Sequence, residues 1–330
     1  MIVVLNKNIK LIVNYVAGPL IMFFLLYTVA RQLEKQPHWK DSFHRIWDAA
    51  IGNQRWKLFG IFGLMCMNWS LETFKWQLAL RTVQPIGFLR ALKAILAGTC
   101  IASFTPNRVG EYLGRMLFVD SGNKIRSVAP SILCSLSQML MTLVAGSVGI
   151  YLYSSLAFQF RASWLSPVFF RSALIMAAAG ATGLGLVYFR FDPLVSGINN
   201  WLGKNHKTFF IPRNFSFRVL TGILLIAALR YMIFVWQYFL LFSLFGIPLM
   251  ALQVFTGVSV MFVLLAVVPT LTFLTDLGFR WVAGIQIFQV FTSNTAGILS
   301  VSLGVWFINL IIPALVGSLL ILRIKLFSSK

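Results

Sequence analysis

Eight stretches of this chain are apolar for about the 20 residues a helix needs to cross a bilayer, and that recurrence narrows the possible folds sharply. They fall at about 11–30, 58–80, 94–119, 128–153, 172–190, 219–245, 250–290 and 298–322. In hydrocarbon every backbone polar group needs an internal partner, so apolar runs of this length read as helices. The expected fold class is all-α: a polytopic membrane helical bundle, with all 330 residues in a single integral membrane domain. The run from Leu11 to Ala30 is longer than a signal-peptide core and no small-x-small site follows it, so it reads as a retained helix. No polar stretch is long enough to fold alone.

Only 11% of the residues are charged, yet the formal net charge is +20, from 28 Lys and Arg against 8 Asp and Glu. Most of the excess lies at helix ends and in loops, where it suits cytoplasmic retention and contact with anionic headgroups. Charge dispersed in this way among membrane segments argues against a nucleic-acid partner. Cys66, Cys100 and Cys134 all sit inside apolar segments, which suits packing and gives no metal or disulfide spacing. His38, His44 and His206 lie in loops, far apart in sequence. No metal and no cofactor is expected. The chain has no HExxH, no Gly-x-Ser-x-Gly elbow and no Gly-x4-Gly-Lys loop, so no catalytic residue is assigned.

A shift of about 165 residues superimposes the first four segments on the last four, dividing the chain into repeats at about 1–160 and about 161–330. The third and seventh segments are broken by Pro106 and Pro269. After each break an acid is followed four residues later by arginine: Glu111 with Arg115, and Asp276 with Arg280. Residues at this spacing share a helix face, so each pair can bridge. Basic residues between Arg190 and Arg218, and at Arg323, Lys325 and Lys330, place those regions and the C-terminus in the cytoplasm. The connections at Gly246–Met250 and Thr292–Gly297 carry no charge and are expected outside. On this scheme both broken segments are re-entrant helical hairpins, entering from opposite sides, and the repeats are inverted. Their proline turns would line a cavity near the midplane. The stretch Arg31 to Lys57, with six Lys or Arg and three acids, opposes the scheme; Trp39, Trp47 and Trp56 there suggest an interfacial segment. Fully spanning broken helices, giving eight crossings, are the alternative.

Within the apolar segments three acids, Glu72, Glu111 and Asp276, face five bases, Lys75, Arg108, Arg115, Arg230 and Arg280. An ionisable side chain at membrane depth is usually paired or handles a polar ligand. The cationic excess would suit an anionic group such as a lipid phosphate, which arginine holds with two hydrogen bonds; Arg108, Arg115 and Arg280 are the preferred contacts. Equally, the charges can bridge one another and pin the hairpins. Glu72 and Lys75 are three apart and can neutralise each other, or Lys75 can snorkel to headgroups beside Trp69 and Trp76 at an interface. Arg230 lacks a local acid and is expected to reach Asp276. Gln138, Thr142 and Asn309 are uncharged polar groups suited to hydrogen bonding between helices.

The run Thr105-Pro106-Asn107-Arg108-Val109-Gly110-Glu111 resembles the Pro-x-x-x-Gly-Glu signature of the lysylphosphatidylglycerol synthase transmembrane-region family, also called flippase-like integral membrane proteins. Asp276-Leu277-Gly278-Phe279-Arg280 resembles the family's second, Gly-x-Arg signature. Asn68-Trp69 with Glu72 and Lys75-Trp76, Ser137-Gln138 with Thr142, and Asn309 with Pro313 extend the resemblance over nearly the whole chain. It implies translocation of a lipid, often an aminoacylated phospholipid or a polyprenyl-linked species, between leaflets of a plasma or bacterial inner membrane. Two departures stand out. Many members carry glutamate directly after the second arginine, where this chain has Trp281. Larger members also carry a soluble aminoacyl-transfer domain, which these 330 residues lack, so lipid aminoacylation is not expected. The expected partners are membrane phospholipids, anionic ones above all, and a lipid-modifying enzyme if the chain instead binds and presents its lipid. An enzyme with an unfamiliar nucleophile is a third reading.

Overall fold

Helices supply all the regular structure in the computed structural model, which describes residues 27, 48, 51–159, 167–191, 215–267 and 273–322. α1 (Arg55–Leu80) is followed by α2 (Phe88–Ala102), a 3-10 turn at Pro106–Arg108 and the short α3 (Gly110–Met116). Then come α4 (Val128–Gln159), α5 (Pro167–Phe189), α6 (Phe217–Leu244), α7 (Ala251–Val267) and α8 (Phe273–Phe288). The last element starts as α9 (Thr295–Trp306), widens into a π turn at Phe307–Ile311 and continues as α10 (Ile312–Leu322).

Four stretches are long and apolar enough to cross a membrane: Ile125–Leu156, Val168–Phe189, Phe217–Leu244 and Thr295–Ile321. The chain is an all-α polytopic membrane protein. α5 is its most peripheral helix: only 11% of its apolar window is buried, and Val168, Ile175, Met176 and Leu186 point outward. Facing water, such a surface would be untenable. Facing acyl chains, it needs no cover. The first apolar segment apart from Tyr27, most of the basic stretch from Arg190 to Arg218, Pro269, and Arg323, Lys325 and Lys330 lie outside the described residues, as does the side chain of Asp276.

The third apolar segment is a hairpin, and its sequence explains the reversal. Ser103 and Thr105 turn their hydroxyls back onto carbonyls of α2, and Pro106 holds Thr105 extended, with φ −119° and ψ 138°. Asn107 and Arg108 then take φ of 50° and 58°, the left-handed region that reverses the chain. Arg108 therefore sits in the turn, ahead of the half-helix that carries Glu111 and Arg115. Thr105 Oγ1 accepts from the Gly110 amide at 2.8 Å and so satisfies the first donor of α3. α3 runs back along α2 at backbone contact: a Cβ on Gly114 would lie 2.4 Å from Gly98 Cα.

The chain leaves this hairpin where it entered. Arg90 in the first turn of α2 pairs with Asp120 beyond α3 at 2.7 Å, and Gln84 Oε1 accepts from the Asn123 side chain at 3.0 Å. α2 starts six residues earlier than the apolar run, at Phe88, because Arg90 can point outward while Ala91, Ala94 and Ile95 pack inward. α7 and α8 fold back similarly, with Gly257 of α7 so close to Phe288 of α8 that a Cβ would lie 2.5 Å from its ring. Near the tip of the first hairpin, Phe104 joins an apolar cluster that also holds Leu277 and Trp281 of α8 and Trp306 of α9.

α1 and α6 cross antiparallel along their whole lengths, Gly60 against Leu240 at one end and Gly222 against Leu78 at the other. Lys57 Nζ closes one end by donating to the Ser243 carbonyl at 3.1 Å. Each hairpin's first arm packs on a helix from the other half: α2 on α10, where Gly317 meets the Leu96 carbonyl, and α7 on α4, where Gly149 meets Ser259. The π turn has a local cause. Pro313 lacks the N–H that would close an α-helical bond to Asn309, and the helix widens over that turn.

Candidate functional site

Asn68, Glu72, Lys75 and Trp76 recur at helical spacing on α1, so one face of this helix is polar, and all four are buried. That face is where α3, α4 and α6 converge. Glu72 is its centre. Its Oε1 accepts from Arg115 Nη2 of α3 at 2.8 Å, while its Oε2 meets Lys75 Nζ at 2.7 Å and Arg230 Nη1 of α6. One carboxylate thus holds three cations from three helices.

Both arginines are positioned by further contacts. Arg230 Nε donates to Asn68 Oδ1 at 2.6 Å and its Nη1 to Gln138 Oε1 of α4 at 3.2 Å, with the guanidinium 6.0 Å from the Phe234 ring. Arg115 Nη2 is shared with Glu111 Oε1, the pair four residues apart on α3. The Arg115 guanidinium lies 5.8 Å from the centre of the Trp76 indole, whose N–H donates to Ser131 Oγ of α4 at 2.9 Å. Arg108, at the hairpin tip, touches Glu111 Oε2 at 3.6 Å.

Burial grades this cluster from inside to outside. The side chains of Lys75 and Arg115 are 1% exposed, Glu111 is 18% exposed and Arg108 is 53% exposed. The interior holds two carboxylates and three cations, one positive charge in excess among the described residues. Several buried donors also meet no acceptor among the described residues: Arg115 Nε and Nη1, Asn68 Nδ2 and Trp69 Nε1. An excess of both charge and donors is chemically one-sided. The cluster is complementary to a group that is anionic and rich in acceptors.

The structure places most of the residues singled out in the sequence. Lys75 does not snorkel and Trp76 does not mark an interface; Lys75 is enclosed against Glu72 and Trp76 is fully buried, because the polar face of α1 points inward. Arg230, expected to reach Asp276, whose side chain lies outside the described residues, meets Glu72 in the first half of the chain, because the antiparallel α1–α6 crossing brings the two into register. Gln138 joins the cluster, whereas Thr142 bonds back to the Gln138 carbonyl in its own helix. Asn309 hydrogen-bonds across helices, donating to Gln237 Oε1 of α6 at 2.8 Å. Gln237 in turn donates to the Ile61 carbonyl of α1 at 3.1 Å. Arg280 lies part-buried on α8, and the Asp276 side chain falls outside the described residues. Asn68 and Ser131 were not singled out as site residues. Asn68 lies one helical turn before Glu72, a signal visible in the sequence, but nothing local ties Ser131 to Trp76.

Among the described residues no three His, Cys, Asp or Glu side chains gather as metal ligands would. No protein-family model matches this chain, and a search among curated proteins returns no match.

Proposed function

We propose that this chain is a lipid translocator, of the kind implied by its resemblance to the lysylphosphatidylglycerol synthase transmembrane-region family. It moves an anionic or headgroup-modified phospholipid, or a polyprenyl-linked lipid, between leaflets of a plasma or bacterial inner membrane, with its C-terminus in the cytoplasm. One observation carries this reading. The cluster around Glu72 has surplus positive charge and surplus donors, and it lies where a folded-back hairpin meets the helices that join the two halves. A charged site is costly at membrane depth, so a surplus of one sign there suits a ligand of the other sign. Broken backbone beside it suits a wet path for a headgroup while acyl chains stay in the bilayer.

A second reading, a lipid-binding accessory that presents its lipid to a partner enzyme, is favoured by one feature. Arg115 and Arg230 are both bonded to Glu72, as in a fixed receptor.

Leaflet exchange in liposomes separates the two. Purified protein is reconstituted with fluorescent phosphatidylglycerol or a fluorescent polyprenyl phosphate, and a membrane-impermeant quencher scores the accessible probe. The expected result is excess accessible probe, with Arg115→Gln slowing exchange about tenfold or more, a loss of about 1.4 kcal/mol. Folded yield should fall far less, since Glu72 keeps Lys75 and Arg230, and Glu111 keeps Arg108. No excess for either probe with folded protein would favour the accessory reading. Parallel loss of exchange and folded yield would give Arg115 a purely structural role.

A further inference from the structure

Arg115 is the most heavily contested group in the cluster, because one nitrogen, Nη2, serves both Glu72 and Glu111 while Nε and Nη1 meet no acceptor. The two carboxylates are not equivalent. Glu72 is enclosed and holds two other cations, so removing it would strand them. Glu111 is partly exposed, sits on a helix of seven residues, and already has a second cation, Arg108, on its outer oxygen. It can leave Arg115 without losing its counter-charge.

We infer that Arg115 exchanges Glu111 for a phosphate group, Glu111 moving outward onto Arg108 as the phosphate takes the guanidinium. This deepens the translocation reading and rests on it for the identity of the ligand's carrier. The phosphate takes the place at Nη2 that Glu111 gives up, brings an acceptor to a neighbouring nitrogen that has none, and brings negative charge to a cluster with one positive charge too many. Arginine's planar fork is suited to that contact, and a partly buried carboxylate is a replaceable stand-in for it. The Trp76 ring and the Glu72 bond hold the guanidinium in place while the partners change. Glu111 then acts as the returning group: by reclaiming Arg115 it releases the phosphate, so binding and release use the same two arginines.

The competition gives a signed test. Binding of inorganic phosphate and of dihexanoyl phosphatidylglycerol is measured by calorimetry on the full chain in a non-ionic detergent, with dihexanoylglycerol as the phosphate-free control. Glu111→Gln removes the competitor and should tighten binding of the phosphate-bearing probe at least about threefold, while Arg115→Gln should weaken it about tenfold or more. Arg108→Gln removes the receiving cation and should weaken binding even if Arg115→Gln does not fold. Tightening in Glu111→Gln with both probes makes this a site for phosphate as such. Tightening with the lipid alone makes it a headgroup site. Weaker or unchanged binding in Glu111→Gln, or equal binding of dihexanoylglycerol, overturns the exchange. If binding behaves as expected but liposomes show no leaflet exchange, the exchange stands and the translocation reading falls.

Discussion

Glu72→Leu will destabilise the protein by about 3–5 kcal/mol, because it leaves Lys75, Arg115 and Arg230 facing one another in a buried site. Opposite charge on Glu72 is what lets three helices bring cations within hydrogen-bonding distance of one point. Leucine matches its bulk but supplies no counter-charge, and among the described residues Glu111 is bonded to Arg115 and, at the rim, Arg108. Lys75→Met should behave oppositely. It removes the surplus positive charge while keeping a flexible apolar stem, and leaves Glu72 with two arginines, so a cost of about 1 kcal/mol or less is expected. Thermal unfolding of both variants in detergent, followed by size-exclusion recovery, reads the contrast. Equal losses would mean that the cluster is held by packing and not by its charge balance.

Gly114→Val should split the first hairpin. A Cβ at Gly114 would lie 2.4 Å from Gly98 Cα and 2.5 Å from Gly98 N, both backbone atoms in the middle of α2. Neither can turn aside as a side chain would, so the arms must separate. Overpacking of this kind costs about 1–3 kcal/mol, and more where only backbone can yield. Arg115 is the next residue, and a displacement of an ångström would break its 2.8 Å bond to Glu72. Folded yield should fall, and whatever folds should have lost leaflet exchange. Gly63→Ala on α1 is the control: nothing lies within 4 Å of its Cβ, and alanine favours helix by up to about 1 kcal/mol.

The helical class and the approximate segments were legible in the sequence because hydrocarbon enforces both length and apolarity. The break at Pro106 was legible for a similar reason, since proline removes a donor and constrains Thr105. Glu111 and Arg115 could be paired from their spacing alone. Local spacing says nothing about partners from another helix. Arg230 has no acid nearby in sequence, and only the crossing of α1 and α6 shows that it meets Glu72, 158 residues away. Beside the tryptophans, Lys75 had two readings open, pairing with Glu72 or snorkelling at an interface, and the structure takes the first. Indole at an interface and indole in a core look alike in sequence, and only the neighbours, such as Ser131 beneath Trp76, tell them apart.

The antiparallel crossing of α1 and α6 also dictates an order of assembly. Glu72 emerges from the ribosome long before Arg230, with Lys75 three residues behind it to keep it company in the bilayer. α6 brings a guanidinium whose carboxylate lies on a helix made 158 residues earlier. An arginine at the centre of an inserting helix is disfavoured by about 2.5–3.5 kcal/mol at the translocon, and a waiting Glu72 removes much of that penalty. Chain order therefore works as a chaperone for the second half, and a circular permutant that made α6 first would expose Arg230 to lipid with nothing yet there to receive it.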